Sequence, residues 1–507
     1  MFQIMSAREA AALIKDGDVI GLNSFVGIGN PEKIHDAITE SFRETGHPKN
    51  LCLVSSSGFG TFDPNRSAEN YVREGAVSKI ICGHYGAMPS TKKLAVTGQF
   101  EAYNMPLGCM SHAMRAQAGG HKGYISKLGI GLFVDPRIEG PGLNDISKDD
   151  SLVHLVEIDG EEYLYYTLPM FDIAIIKGSS VDAYGNISFE DEYCTIDALS
   201  IAQMTKRNGG KVLVQVDRVR SDSARPRDVI IPAVLVDAVV VAEPSEQNIA
   251  LGTLSGNIVV PPTQMQYWFN RLDESNAKAS ARKDDSAEII GRRAAKELHG
   301  GEVCNIGVGI PEKVSKYAAA AGILDSLTLS VESGGTGGLP SGGLTFGAMI
   351  GAGAICDMAS QFDFYDGGGL DICFMGGLEM DQYGNVNAHH GADMASGIGG
   401  FGNITAATRN VVFCFTFNTK GLNVTEQDGK VVINQEGSIP KIVEKVRSIS
   451  FSGKMAIKNK QHILYVTERC VFELRPEGLT LIEVYPGIDK QKDIFDQLSF
   501  PVIDGTL

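Results

Sequence analysis

The sequence predicts an α/β fold of two related open α/β domains, each built around a mainly parallel sheet. Short runs rich in β-branched residues alternate with helical patterns, as in parallel sheets that are covered by helices. The chain also repeats itself in the same order, since Gly27–Ile34 recurs as Gly307–Val314 and Phe171–Ser188 recurs as Leu370–Asn387 without a gap. Such an ordered repeat is typical of duplicated domains.

The predicted domains are residues 1–270 and 287–507, joined by a linker at 271–286. The linker segment is polar, charged and poor in large aliphatic residues. The first domain holds many more residues between Gly58 and Asp172 than the second holds in the equivalent part. We therefore predict an insertion in the first domain.

Individual elements follow from local patterns. The β-branched runs predict buried strands at 80–82, 173–176, 239–241, 411–415 and 463–466. Apolar residues at helical spacing predict a helix from Ala287 that opens the second domain. A further helix is predicted to begin at Pro311, because proline with Glu312 beside it is typical of a first helical turn.

Charge and hydropathy limit the partners. A formal net charge of −16 argues against nucleic acid or an anionic membrane, which both need a basic surface. The chain has neither an uninterrupted apolar run of about eighteen residues nor the start of a signal peptide. We expect a cytoplasmic protein that binds small molecules.

The 9 cysteines are scattered singly, without the close pairs that bind zinc or exchange disulfides. Cys109 and His112 come nearest to the spacing of metal ligands, but nothing completes a set. We expect reduced cysteines and no metal site.

One carboxylate stands out in the internal comparison. The run Leu51–Gly58 aligns without a gap on Leu327–Gly334, so that Glu332 occupies the place of Ser56. A carboxylate that follows an apolar strand and precedes a glycine-rich turn is poorly solvated, which suits a nucleophile or a base. The second half is therefore predicted to carry the chemistry.

Two glycine-rich segments accompany this glutamate. The segment Gly307–Pro311 precedes a predicted helix, whose free backbone N–H groups can bind an anion or a polar tail. The segment Gly397–Gly402 formally matches the dinucleotide fingerprint but lacks the acidic residue about twenty positions on. We interpret its amides as donors to a reacting oxygen.

Together, Val331–Gly334 with Gly337 and Gly338, the run Phe364–Asp371 and the segment Gly397–Phe401 resemble the glutamate-nucleophile coenzyme A transferases. The resemblance is closest to the propionate and acetate CoA-transferases. It implies a ping-pong transfer of CoA between a short-chain acyl-CoA and a carboxylic acid, through a glutamyl-CoA thioester on Glu332. It also implies no permanently bound cofactor, with coenzyme A as a substrate.

The resemblance further implies roles for individual residues. Glu332 is the nucleophile, and the amides of Gly399 and Gly400 stabilise the oxyanion. Asn385 either orients Glu332 or shapes a turn, as its counterpart Asn186 would. The residues implied to contact CoA are Gly307, Val308, Gly309, Ile310, Pro311, Gly376, Ser396, Gly400 and Lys420.

The insertion is expected to line the acyl side of the site with Gly83–Met88 and Pro106–Met110, because pockets favour domain interfaces. The resemblance also implies a homo-oligomer. Three other functions stay open: a thioesterase that uses the same glutamate, a nicotinamide dehydrogenase, and a non-catalytic ligand-sensing protein. Glu332 argues against the last of these, and the incomplete fingerprint argues against the dehydrogenase.

Overall fold

Two large sheets organise the chain. The computed structural model describes residues 2–148, 151–243, 246, 269, 284–342, 345–391 and 395–506. One sheet of 8 strands belongs to the first half, and one sheet of 10 strands belongs to the second. No helix in this described part is long and apolar enough to cross a membrane.

The first sheet has the strand order β1-β8-β7-β6-β2-β3-β4-β5, and all of its pairs are parallel. Its strands are β1 (Gln3–Ile4), β2 (Val19–Leu22), β3 (Leu51–Ser55), β4 (Val77–Cys82), β5 (Glu101–Asn104), β6 (Ile173–Lys177), β7 (Lys211–Val216) and β8 (Ala238–Val241).

The second sheet has the order β12-β11-β10-β9-β13-β14-β15-β16-β17-β18, and its centre from β10 to β15 is parallel. Its strands are β9 (Val303–Ile306), β10 (Thr328–Ser330), β11 (Gly335–Thr336), β12 (Ala354–Ile355), β13 (Ile372–Met375), β14 (Asn410–Cys414), β15 (His462–Val466), β16 (Cys470–Arg475), β17 (Gly478–Val484) and β18 (Ile503–Asp504).

The two sheets repeat the same topology. The order β3-β2-β6-β7-β8 in the first matches β10-β9-β13-β14-β15 in the second. The predicted strands at 80–82, 173–176, 239–241 and 463–466 lie within β4, β6, β8 and β15. The strand predicted at 411–415 corresponds to β14, which ends at Cys414, one residue earlier than predicted. The structure therefore confirms the predicted fold class of related domains with mainly parallel sheets.

Helices cover both faces of each sheet. Alternate side chains of the first sheet pack into two separate apolar cores, one against α1 to α3 and one against α5 and α6. The second sheet divides in the same way between α7 with α8 and α9 with α10. The helices are α1 (Ala7–Ala11), α2 (Glu32–Thr45), α3 (Glu69–Arg73), α4 (Pro89–Val96), α5 (Leu107–Ala118), α6 (Ala198–Arg207), α7 (Ser286–Ala294), α8 (Lys313–Ala320), α9 (Met358–Asp366), α10 (Phe401–Ala407) and α11 (Gly453–Lys458).

The division into domains stays a prediction. Residues 271–283 of the predicted linker lie outside the described residues, and α7 begins at Ser286. The insertion of the first half contains β4, β5, α3 to α5 and a small antiparallel sheet made of Tyr124–Ser126, Val153–Ile158 and Glu161–Tyr166. The excess of residues before Asp172 thus forms regular structure beside the first sheet.

Equivalent turns show how closely the halves match. Asp381 accepts hydrogen bonds from the backbone N–H of Asn385 at 3.0 Å and from its side-chain amide at 3.0 Å. Asp182 accepts the same pair of bonds from Asn186, at 2.9 and 3.0 Å. The Asn385 amide oxygen accepts from Gly453 N–H at 3.0 Å. The side chain of Asn385 therefore shapes its turn, as its counterpart does.

Replacement of Asn385 by alanine removes the acceptor for Gly453 and one partner of Asp381. We expect a loss of about 1–3 kcal/mol in the free energy of unfolding, because buried polar groups lose their partners. Asn186→Ala is expected to cost a similar amount, and Asn434→Ala at an exposed position less than about 0.5 kcal/mol. Urea denaturation measures all three, and an Asn385→Ala protein as stable as the parent would contradict this assignment.

Candidate active site

The candidate site lies at the carboxyl ends of three neighbouring strands. Gly307 follows β9, Glu332 follows β10 and Gly376 follows β13. Asn305 of β9 pairs with Ser330 of β10, so that Gly307 and Glu332, each two residues further on, leave the sheet side by side. In open α/β sheets this edge is where ligands bind.

A tight turn presents the Glu332 side chain. Val331 N–H donates to the Gly335 carbonyl at 2.9 Å, and Gly334 N–H donates to the Val331 carbonyl at 3.2 Å. Gly334 has φ +118°, and a Cβ there would collide with the Cys356 carbonyl, so only glycine fits. The glycine after the glutamate is therefore a requirement of the turn.

Glu332 as a residue is half-buried. Burial raises the pKa of this carboxyl above its ordinary value, and a hydrogen bond from the residue's own backbone N–H opposes the rise. Partial desolvation makes a carboxylate more reactive, and the remaining exposure leaves a path for substrate.

The glycine-rich segment lies directly against this carboxylate. A Cβ built on Gly400 would lie 2.7 Å from Glu332 Cγ and 3.1 Å from its Oε1. Within the described part of the chain, the Gly400 N–H has no hydrogen-bond partner. The Gly399 N–H, by contrast, donates to the Gly83 carbonyl at 2.7 Å. The Gly399 amide thus differs from the expectation that both amides face a reacting oxygen, and in the described part of the chain Gly400 is the one of the two without an acceptor.

The first half holds this segment in place. Ser396 O accepts from the N–H groups of Tyr85 at 2.6 Å and Gly86 at 3.0 Å, and Gly399 O accepts from Leu107 N–H at 3.0 Å. Both segments of the insertion that were expected on the acyl side, 83–88 and 106–110, thus contact the glycines beside Glu332. The site is built from both halves of the chain.

Sequence analysis did not identify three polar residues, Tyr365, Ser330 and Asn305, which form a hydrogen-bonded group near Glu332. Tyr365 donates to Ser330 Oγ at 3.0 Å, and Asn305 donates to the Tyr365 hydroxyl at 3.4 Å and to the Ser330 carbonyl at 3.2 Å. Burial and then the Glu332 charge raise the pKa of Tyr365, which keeps the phenol neutral. Tyr365 belongs to the noted run Phe364–Asp371, but no local pattern indicated that it faces the glutamate.

The loop expected to bind CoA is open to solvent. Val308 is 54% exposed and Gly309 has φ +88°, and within the described residues neither N–H has a hydrogen-bond acceptor. A 3-10 turn at Ile310–Glu312 contains Pro311 and leads into α8, so a helix begins where the sequence predicts one. Gly376 faces this loop, because a Cβ built on it would lie 3.9 Å from the Val308 carbonyl.

Among the residues that the structure describes, no hydrogen bond or ion pair joins Lys420 to the rest of the site. It lies exposed in a turn after β14 with φ +60°, and its carbonyl accepts from Ser438 N–H at 3.1 Å. Within the described ranges its ammonium group has no ion pair. Its contact with CoA stays a prediction.

The equivalent place in the first half is closed. Ser56, the counterpart of Glu332, donates to Asp197 at 2.6 Å, and Ser111 donates to the other oxygen of the same carboxylate. Burial raises the pKa of Asp197 to about 6, and the two hydroxyl groups oppose the rise. All three side chains are buried. This half therefore offers no accessible nucleophile at that position.

Comparison with known proteins assigns the family. The Coenzyme A transferase family model matches residues 4–242. The chain is 39% identical to the acetate CoA-transferase YdiF of Escherichia coli strain K12, over 99% of this chain and 93% of that protein. It is also 39% identical to the caffeate CoA-transferase of Acetobacterium woodii, over 100% of this chain and 96% of that protein. The chain belongs to the coenzyme A transferase family.

Solved structures agree with this assignment. The fold matches the apoenzyme of the acyl-CoA transferase YdiF from Escherichia coli O157:H7 with a TM-score of 0.89 and 36% identity, covering 100% of this chain and 94% of that one. The thioester complex of that transferase with CoA matches with a TM-score of 0.88 and 35% identity, at the same coverage of both chains. The predicted enzyme class is thereby confirmed.

Gly400→Ala tests the contact between this transferase's glycine segment and Glu332. The added methyl group would displace the glutamate, and a displacement near about 1 Å can cost about a hundredfold in rate. We expect a loss of that order in CoA transfer, with unchanged thermal stability. Gly119→Ala, in an exposed position without a close contact or a positive φ, is the control and keeps full activity. A Gly400→Ala enzyme within about threefold of the parent would disprove the contact's importance.

Proposed function

We propose that this CoA-transferase exchanges CoA between short-chain acyl-CoA and carboxylic acids of the acetate and propionate type through a covalent glutamyl-CoA on Glu332. The observation that supports it most is that half-buried Glu332 packs against Gly400, whose N–H has no hydrogen-bond partner among the described residues. A nucleophile needs an accessible carboxylate, and acyl transfer needs a donor beside it. The solved YdiF transferase contains a thioester with CoA, which supports such an intermediate here.

The reaction proceeds through an anhydride and then a thioester on Glu332. A Glu332 oxygen attacks the thioester carbonyl, the C–S bond breaks, and an acyl-glutamyl anhydride and CoA thiolate form. The thiolate attacks the glutamyl carbonyl, which releases the first acid as its carboxylate and leaves glutamyl-CoA. The incoming carboxylate attacks that thioester, and the same steps run in reverse. Each attacking group is already anionic, so that no side chain has to remove a proton.

Each attack passes through a tetrahedral oxyanion, which must be stabilised. The N–H of Gly400 is the donor we assign to this task, because Gly399 already donates to Gly83. A donor that is fixed before the reaction costs no reorganisation when charge develops. The neutral phenol of Tyr365 lies behind the glutamate, where it holds Ser330 and the end of β10 in position.

CoA itself is a substrate and not a bound cofactor in this proposal. The exposed amides of Val308 and Gly309 and the open face of Gly376 support binding of its polar chain along the loop Gly307–Pro311. We assign Ser396 and Gly400 to the same substrate, because Gly400 lies against Glu332 and Ser396 belongs to the same glycine-rich segment. We assign Lys420 to a CoA phosphate, to which its ammonium group would supply a point charge.

Short acids are favoured by the packing beside the glutamate. Ser333 donates to the Gly347 carbonyl, and Gly347 packs on the ring of Phe25. Phe25 and Ile28 are 1% and 0% exposed, so that this side of the site is filled by protein.

We also propose a cytoplasmic homo-oligomer, because symmetric dimers are common among soluble enzymes. A light-scattering mass of a single chain would contradict the oligomer.

The function is tested by the exchange reaction in which propionyl-CoA and isotopically labelled acetate give labelled acetyl-CoA and propionate. We expect exchange with ping-pong kinetics in the parent enzyme and none above background in Glu332→Ala. Glu332→Asp withdraws the nucleophilic oxygen by about 1.5 Å and is expected to lose about a hundredfold or more. Glu477→Ala, at an exposed turn, serves as the control with parent activity. Full exchange in Glu332→Ala, or release of free CoA in place of exchange, would reject the proposal.

Acyl-chain length provides a separate prediction. Because Phe25 packs on Gly347, the acceptor of the Ser333 hydroxyl, octanoyl-CoA is expected to react at least about a hundredfold less efficiently than propionyl-CoA, measured as kcat/KM with acetate. Several methylene groups of the longer chain would find no apolar space, and the binding free energy lost in this way is large enough for a difference of this size. Comparable efficiency for the two acyl-CoAs would show that the site is not closed on this side.

A further inference from the structure

The first half contributes a histidine next to the glutamate. His84 follows β4 and belongs to the segment Gly83–Gly86, which is tied to the second half by backbone hydrogen bonds. Tyr85 and Gly86 donate to the Ser396 carbonyl, and Gly83 accepts from Gly399 at 2.7 Å. The backbone on either side of His84 is therefore fixed to the glycine segment of the site.

The imidazole ring lies against Gly399, next to Gly400, which contacts Glu332. A Cβ built on Gly399 would lie 3.7 Å from His84 Cδ2, and one built on Gly400 would lie 2.7 Å from Glu332 Cγ. The ring also lies close to Gly86, where an added Cβ would come within 2.7 Å of Cε1 and Nε2. Imidazole and carboxylate thus flank two consecutive residues, and glycine at 86 leaves room for the ring.

The ring is half-buried and is not used by the fold. Within the residues that the structure describes, neither ring nitrogen has a hydrogen-bond partner or a carboxylate within salt-bridge distance. Burial and then the positive charge of Lys92 lower the pKa of the His84 imidazole to about 4. The neutral ring offers one N–H donor and one acceptor nitrogen. The ring nitrogens are not among the unpaired side-chain atoms that are sealed from solvent, so a ligand can reach them.

We propose that the His84 imidazole binds the acid substrate, donating its ring N–H to an oxygen of the carboxylate that approaches Glu332. The inference rests on the proposed function of Glu332. The ring is a hydrogen-bond donor without a protein partner among the described residues, and it lies beside the attacking carboxylate. It belongs to the segment 83–86, which the first half contributes to the site. A neutral donor suits this place, because the incoming carboxylate and Glu332 are both anionic and must approach each other. His84 is a substrate-binding residue and takes no proton in the reaction.

The test compares His84→Ala, His84→Gln and the control His121→Ala, whose side chain is exposed outside the site. Exchange of labelled acetate is measured at varied acetate and at varied propionyl-CoA. His84→Ala is expected to raise the acetate KM about 10- to 100-fold, as for loss of a hydrogen bond to a charged group, with kcat and the propionyl-CoA KM within about threefold. Glutamine retains an N–H donor, so His84→Gln is expected to recover at least half of the loss on a logarithmic scale. His121→Ala should match the parent.

The outcomes distinguish failure of the function proposed for Glu332 from failure of the role proposed for His84. A parent enzyme without exchange overturns the function proposed for Glu332 and the role of His84 with it. Exchange in the parent together with an unchanged acetate KM in His84→Ala overturns only the role of His84. Equal losses for both substrates, with a lower thermal midpoint and no recovery in His84→Gln, would show a structural role and also overturn it.

Discussion

The site depends on the close approach between the Glu332 side chain and the backbone at Gly400. A side chain at position 400 would occupy the space of the glutamate, whose Cγ lies 2.7 Å from where a Cβ would be. The segment around Gly400 cannot hold this place by itself. Backbone hydrogen bonds from Tyr85, Gly86 and Leu107 fix it from the first half of the chain. The chemistry of one half therefore relies on the framework of the other.

Because the two halves are duplicates, the residues at equivalent places can be compared directly, and they differ. The offset in numbering that relates Asp172 to Asp371 also relates Asp197 to Ser396. The first half therefore has a serine where the second has Glu332, and an aspartate where the second has a serine. In the first half the carboxylate is buried and its two oxygens are held by Ser56 and Ser111, so that it stabilises a closed contact. In the second half the carboxylate lies on the strand end and stays accessible.

Sequence reasoning succeeded where information is local or repeated. The internal repeat predicted two sheets of equal topology, and the gap-free alignment of Ser56 with Glu332 located the candidate nucleophile. It could not predict contacts between residues distant in the chain. The engagement of the Gly399 amide by Gly83, the contact of Tyr365 with Ser330 and the position of His84 all depend on how separate elements pack. The role of Asn385 was left open between two alternatives, and its bonds to Asp381 and Gly453 favour the turn.

The central claim is that Glu332 forms a covalent bond to CoA. The most direct measurement is to incubate the protein with propionyl-CoA without an acceptor acid, quench in acid, and map the modified peptide by mass spectrometry. The account predicts one adduct per chain, with the mass of CoA less one water, on the peptide that contains Glu332. A protein that turns over propionyl-CoA but carries no adduct, or carries it on a peptide without Glu332, would contradict the account.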